Sequence, residues 1–148
     1  MKDNINKINI VEKICILVLF ILIFYFINIY FFKKPKITLG TFTEIPKDLM
    51  DSGCTFYWNQ SDLDKKEIAL IDTFGSGALI VINGNSEKLK EVRNGDLLNF
   101  SNDKFEVKIN IIKSTLNNNE GTYEEGILTV IGKDGESTSK NVLGYCGS

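Results

Sequence analysis

The sequence predicts an all-β domain, a small antiparallel barrel or sandwich of about seven or eight strands, preceded by one N-terminal transmembrane helix. Three observations lead there. An uncharged run of nineteen residues, Ile14 to Phe32, follows a short polar head. Beyond it, apolar runs rich in branched and aromatic residues recur at roughly ten-residue intervals, separated by turn residues. Two cysteines, Cys54 and Cys146, bracket that second part.

The apolar run comes first. At 1.5 Å per residue it would be roughly 28 Å long, close to the thickness of a bilayer's hydrocarbon. It is apolar on every face, which needs lipid or a large core around it. Tyr25 and Tyr30 lie toward its C-terminal end, and Lys13, Lys33, Lys34 and Lys36 flank it, as interfacial anchors do. The run is longer than the apolar part of a signal peptide, and Lys-Lys-Pro-Lys follows it rather than a small-residue cleavage site. The expectation is therefore an uncleaved anchor: residues 1–13 a cytoplasmic N-terminus, 14–32 the span in contact with membrane lipid, 33–52 a linker and 53–148 the all-β domain. Cys15, at the start of the run, reads as an apolar filler.

Pro35 and Pro46 interrupt regular structure in the linker, leaving at most one edge strand over 37–42. "CTFYWN" then alternates, with Cys54, Phe56 and Trp58 on one face and Thr55, Tyr57 and Asn59 on the other. The first set reads as core, which leaves Tyr57 on the exposed side as a candidate binding residue. "SDLDKKE" reads as a turn or one helical turn capped by Ser61. "EIALIDTF" and "ALIVING" read as strands joined by Gly75-Ser76-Gly77. Asn83-Gly84, Asn94-Gly95 and Lys133-Asp134-Gly135 are turn signals, and "NNNEG" a loop. In "KFEVKINII", Phe105, Val107, Ile109 and Ile111 face in. "TYEEGILTVIG" and "ESTSKNVLGYC" complete the set.

In a closed or sandwiched meander the first and last strands can meet, so a Cys54–Cys146 disulfide across that seam is expected. Closing a loop of about 93 residues contributes roughly 4.6 kcal/mol by the chain-entropy relation. Charge leaves sidedness open, because lysines flank the run almost equally. A disulfide persists in an oxidising compartment, which favours the domain on the extracytoplasmic side.

Charge is divided along the chain. Met1 to Lys36 hold six lysines and two acids, about +4; Ile37 to Ser148 hold eleven basic and seventeen acidic residues, about −6. An acidic domain repels phosphate backbones, which argues against nucleic acid and for a cationic protein or envelope partner. The lysine and asparagine richness makes chance N-x-S matches common, so Asn59-Gln60-Ser61 and Asn99-Phe100-Ser101 are not read as glycosylation sites.

The chain contains no histidine, which excludes His-based triads and His-ligated metals. It carries no nucleophile elbow, phosphate-binding loop or dinucleotide fingerprint, so no cofactor is expected. Asp62, Asp64 and Glu67 approach a calcium loop without its required glycine. Two thiols without histidine fall short of a zinc set, so no metal is expected either. Glu124 and Glu125 are candidate binding residues, but as neighbours on a strand they face opposite sides.

In plan, the chain resembles the membrane-bound C-type lysozyme inhibitors: an export anchor, a small β-barrel and a disulfide. Those proteins present an S-G-x-x-Y loop to a cationic enzyme. Ser52-Gly53-Cys54-Thr55-Phe56 and Ser76-Gly77-Ala78-Leu79-Ile80 approximate that loop, without its tyrosine. The family's Y-x-x-x-K-G loop is absent, Tyr123-Glu124-Glu125-Gly126 being a poor match. The tail Gly144-Tyr145-Cys146-Gly147 resembles that of small uncharacterised bacterial membrane-anchored β domains ending in G-x-C-G. The reading that follows is a non-catalytic binding module of the cell envelope. A lysozyme-inhibitor-like protein and a structural subunit of an envelope complex are the alternatives.

Overall fold

A computed structural model describes residues 13–26, 36–49, 53–92, 98–117 and 121–147. The chain divides into two compact units, Met1–Pro35 and Lys36–Ser148. In the first, residues 13–26 form a helix, α1, whose apolar side chains from Ile14 to Phe26 are exposed. Its fourteen described residues span about 21 Å, against about 30 Å of bilayer hydrocarbon. No described helix is long and apolar enough to cross a membrane. The expectation of a span over 14–32 thus meets the structure only as far as residue 26, and residues 27–32 lie outside the described set.

The second unit is all-β. Its strands are β1 (Gly53–Tyr57), β2 (Leu70–Thr73), β3 (Gly77–Ile82), β4 (Asn85–Glu91), β5 (Leu98–Ser101), β6 (Phe105–Asn117), β7 (Gly121–Gly132) and β8 (Ser137–Gly147). They form a closed antiparallel barrel in chain order, with β8 returning to pair with β1. Alternation explains the closure. Cys54, Phe56, Leu70, Ile80, Phe100, Val107, Ile109, Leu128, Val130 and Val142 point inward and form one core. Of the predicted inward set on β6, Val107 and Ile109 are fully buried, while Phe105 and Ile111 pack at its margin.

Turn chemistry sets the register. Asn83 and Gly84 have φ of 53° and 77°, the left-handed pair that a tight hairpin between β3 and β4 requires. Gly77 has φ 110°, and a Cβ there would lie 2.1 Å from the Leu89 carbonyl oxygen, so only glycine fits. The turn expected at Asn94-Gly95 lies outside the described residues.

Two expectations are corrected. The short helix α2 (Gln60–Lys65) is capped by Asn59, not Ser61: the Asn59 side chain accepts from the Asp62 N–H at 3.1 Å. Ser61 lies two positions later, inside the first turn of the helix. The linker is also not free of the domain from Ile37 onward. Ile37 is buried in the barrel core, and Leu39 pairs with Ile82 as an isolated bridge rather than a strand. Asn83 holds this segment at both ends of one residue, donating its N–H to the Thr38 carbonyl at 2.8 Å and accepting from the Thr38 N–H at 2.8 Å. Outside the barrel, Ile68, Ile71 and Leu79 form a second cluster with Leu49, joined by Phe42, Ile45 and Tyr57. Burial of apolar side chains on both faces of β2 and β3 thus explains their unbroken apolar runs.

Candidate functional site

The β1–β8 seam builds the site. β8 pairs with β1 from Gly53↔Gly147 to Tyr57↔Leu143, and with β7 from Thr122↔Cys146 to Ile131↔Ser137. On the outer face this register lays two rows across the strands. Tyr57 lies opposite Leu143, and Leu143 opposite Glu125. Two residues along, Thr55 lies opposite Tyr145, and Tyr145 opposite Tyr123. The Tyr123 and Tyr145 rings meet at 5.3 Å between centroids, tilted by 57°. Helix α2 supplies Gln60 and Leu63. All of these but Thr55, together with Glu124 and Gly144, line a depression of about 250 Å³.

The structure therefore brings Tyr57, Glu124 and Glu125 to one place. Tyr57 is not the exposed residue expected: it is half-buried beside the outer cluster, and burial raises its phenol above its ordinary range. Glu125 faces outward and pairs with Lys113 at 3.1 Å, both well exposed. Glu124 borders the same depression from the opposite face of β7. Its Oε2 is buried and accepts no hydrogen bond among the described residues, and burial raises its carboxyl above the usual range.

Cys54 and Cys146 are joined, as the bracketing positions suggested. They are direct cross-strand partners with Cα atoms 4.0 Å apart. The Cys54 N–H points the other way, to Asp72 Oδ1 at 2.7 Å, so the cysteines form one of the close pairs that exchange no main-chain hydrogen bonds. Donor atoms of Cys54, Cys146 and Glu124 all lie within 4.8 Å of one another. With the sulfurs joined, that group does not present free thiolates to a metal.

Asp72 is the residue that sequence reasoning passed over. It is only 3% exposed, and burial pushes its carboxyl up to about 6. The Cys54 N–H lowers it, while the carboxylates of Glu91 and Glu124 raise it further. The signal was present: an acid inside the branched run "EIALIDTF" has to be paired, and its partner is a main-chain amide. Tyr145 and Leu143 were missed because only the strand register places them opposite Tyr123 and Glu125. Comparison with family models, characterised proteins and solved structures returns no match.

Proposed function

We propose that the chain is a non-catalytic binding module of the cell envelope. Residues 14–32 anchor it as a single pass, and the barrel stands on the extracytoplasmic side. The groove floored by Tyr57, Leu143, Tyr123 and Tyr145 receives a cationic segment of a partner protein. The observation that carries this reading is the groove itself: a tyrosine- and leucine-lined surface with two carboxylates at its border, on a domain carrying about −6. Such a surface suits a lysine- or arginine-bearing stretch, with its aliphatic stem on the tyrosines and its charge on the acids. The disulfide and the uncharged run support the envelope placement.

Two measurements test it. In intact cells, alkylation of Cys54 and Cys146 is expected only after reductant is added; free modification without it would remove the extracytoplasmic placement. For the groove, a photo-crosslinking residue at Tyr123 in the full-length chain is compared with one at Lys133, in the β7–β8 turn. Adducts with a cationic protein are expected at Tyr123 only, and should weaken with rising salt and with Glu125→Lys. Equal labelling from both positions would defeat the groove assignment. Purified lysozyme is the first cationic probe, and suppression of its lytic activity would single out the inhibitor reading.

A further inference from the structure

We propose that the β1–β8 seam holds a redox-gated zinc site made of Cys54, Cys146 and Glu124, occupied when the disulfide is reduced. The site follows from register. Cys146 is the inward partner of Cys54, and Glu124, opposite the side-chain-free Gly144, is the diagonal inward neighbour of Cys146. Three adjacent strands thus deliver two sulfurs and a carboxylate oxygen within 4.8 Å of one another.

The second observation is at Glu124. Its Oε2 is buried and has no hydrogen-bond donor among the described residues. A buried carboxylate oxygen without a donor is costly, and a cation beside it would remove that cost. Asp72 accepts from the Cys54 amide at 2.7 Å and so fixes the main chain that carries one sulfur. Cys146 is only partly buried, which leaves a path of entry.

The chemistry balances with a dithiol as reductant. The dithiol donates two electrons and two protons, the Cys54–Cys146 bond breaks to two thiols, and the dithiol closes to its own disulfide. Zn²⁺ then displaces both thiol protons and binds two thiolates and the Glu124 carboxylate, with water in the fourth position. Freed sulfurs relax to about 3.5–4 Å, the separation that two thiolates take on one tetrahedral zinc. Oxidised, the seam is held by a covalent bond; reduced, by a metal. Both states tie β8 to β1. Glu124 also borders the groove, but zinc uptake is read without any partner protein, so either reading can fail alone.

The test uses the full-length chain in detergent with Cys15→Ser, which removes the exposed free thiol. Zinc uptake is measured by competition with a chromophoric chelator, before and after reduction. The reduced chain is expected to take up one zinc and the oxidised chain none. Glu124→Gln should weaken uptake at least about tenfold, since loss of even an outer-shell partner of a metal ligand has an effect of that size. Should reduction unfold the barrel, zinc is expected to restore its β-sheet circular dichroism, because binding and folding are then coupled. A reduced chain that takes up no zinc, or whose β signal zinc does not restore, would overturn the proposal. So would equal uptake by the oxidised chain, or by the Glu124→Gln variant.

Discussion

Two seams of the barrel are closed in different ways. Between β8 and β1 the ladder runs without a break from Gly53↔Gly147 to Tyr57↔Leu143, and a disulfide crosses it. Between β4 and β5 the described ladder consists of Lys90↔Ser101 and Glu91↔Phe100. On one side a main-chain bond from the Val92 N–H to the Asn99 carbonyl at 2.7 Å continues the pairing; on the other, side chains span the gap. Asn102 Nδ2 donates to Glu87 Oε2 at 3.1 Å and to the Lys88 carbonyl at 3.2 Å, and Lys104 Nζ reaches Glu87 Oε1 at 3.0 Å. Glu87 is buried at this seam, and the hydrogen bond from Lys104 offsets the cost of burying its charge. The contrast shows where main-chain pairing suffices and where polar side chains have to take its place. At β1–β8 the fixed register holds tyrosines and acids in defined rows.

The largest predicted effect breaks the first seam. Cys54→Ala with Cys146→Ala should destabilise the barrel by about 4–5 kcal/mol, from the entropy of the freed loop. Denaturant unfolding followed by the fluorescence of Trp58, the chain's single tryptophan, reads this directly. A loss below about 1 kcal/mol would mean that the ladder alone closes the barrel.

Asp72→Asn should act in the opposite direction. In the fold the Asp72 carboxyl titrates near 6, above its ordinary value of 3.8, so the folded state binds the proton more tightly than the unfolded one. Stability from this group is therefore full below about pH 4 and lost as pH rises through about 6. The asparagine keeps an oxygen for the Cys54 N–H and carries no charge. It should be more stable than wild type at pH 7.5, by at most about 3 kcal/mol, with the difference vanishing near pH 4. A difference independent of pH would refute the assignment.

Gly144→Ala probes the packing under the same seam. A Cβ there would lie 2.5 Å from Phe56 Cε1, and Phe56 is fully buried, so the ring has little room to move. A loss of about 1–3 kcal/mol is expected. The smallest effect belongs to the second seam. Glu87→Gln should cost about 1–2 kcal/mol, reflecting weakened charge-assisted hydrogen bonds. It should also speed amide exchange along β4 while leaving β1 and β8 unchanged. Uniform acceleration over the barrel would show that the two seams do not open independently.

Much of this architecture was legible beforehand for local reasons. The period-two pattern of Phe105, Val107 and Ile109 and the Asn83-Gly84 turn each follow from a few neighbouring residues. The Cys54–Cys146 pairing was legible because two bracketing cysteines at the ends of a meander have few other partners. Alternation puts Tyr57 on the right face but not at its right exposure, because the segment that half-buries it, from Phe42 to Leu49, has the composition of a tether. Its apolar residues Phe42, Ile45 and Leu49 straddle Pro46, which interrupts a regular element, so the sequence does not mark them as packing. Asn59 was overlooked as a cap because two polar residues, either able to cap, stand two positions apart.

The sequence by itself determined the strand class, the turn positions, the acidic charge of the domain and the absence of histidine chemistry, since these depend on residue type and short-range periodicity. Only the tertiary structure decided which strands are neighbours, and with that everything non-local. It placed Tyr123 against Tyr145 and Glu124 beside the disulfide, and it put Asp72 under the Cys54 amide, across eighteen residues of chain. Those contacts arise from ladder register, which closure of the whole barrel sets and no single strand encodes.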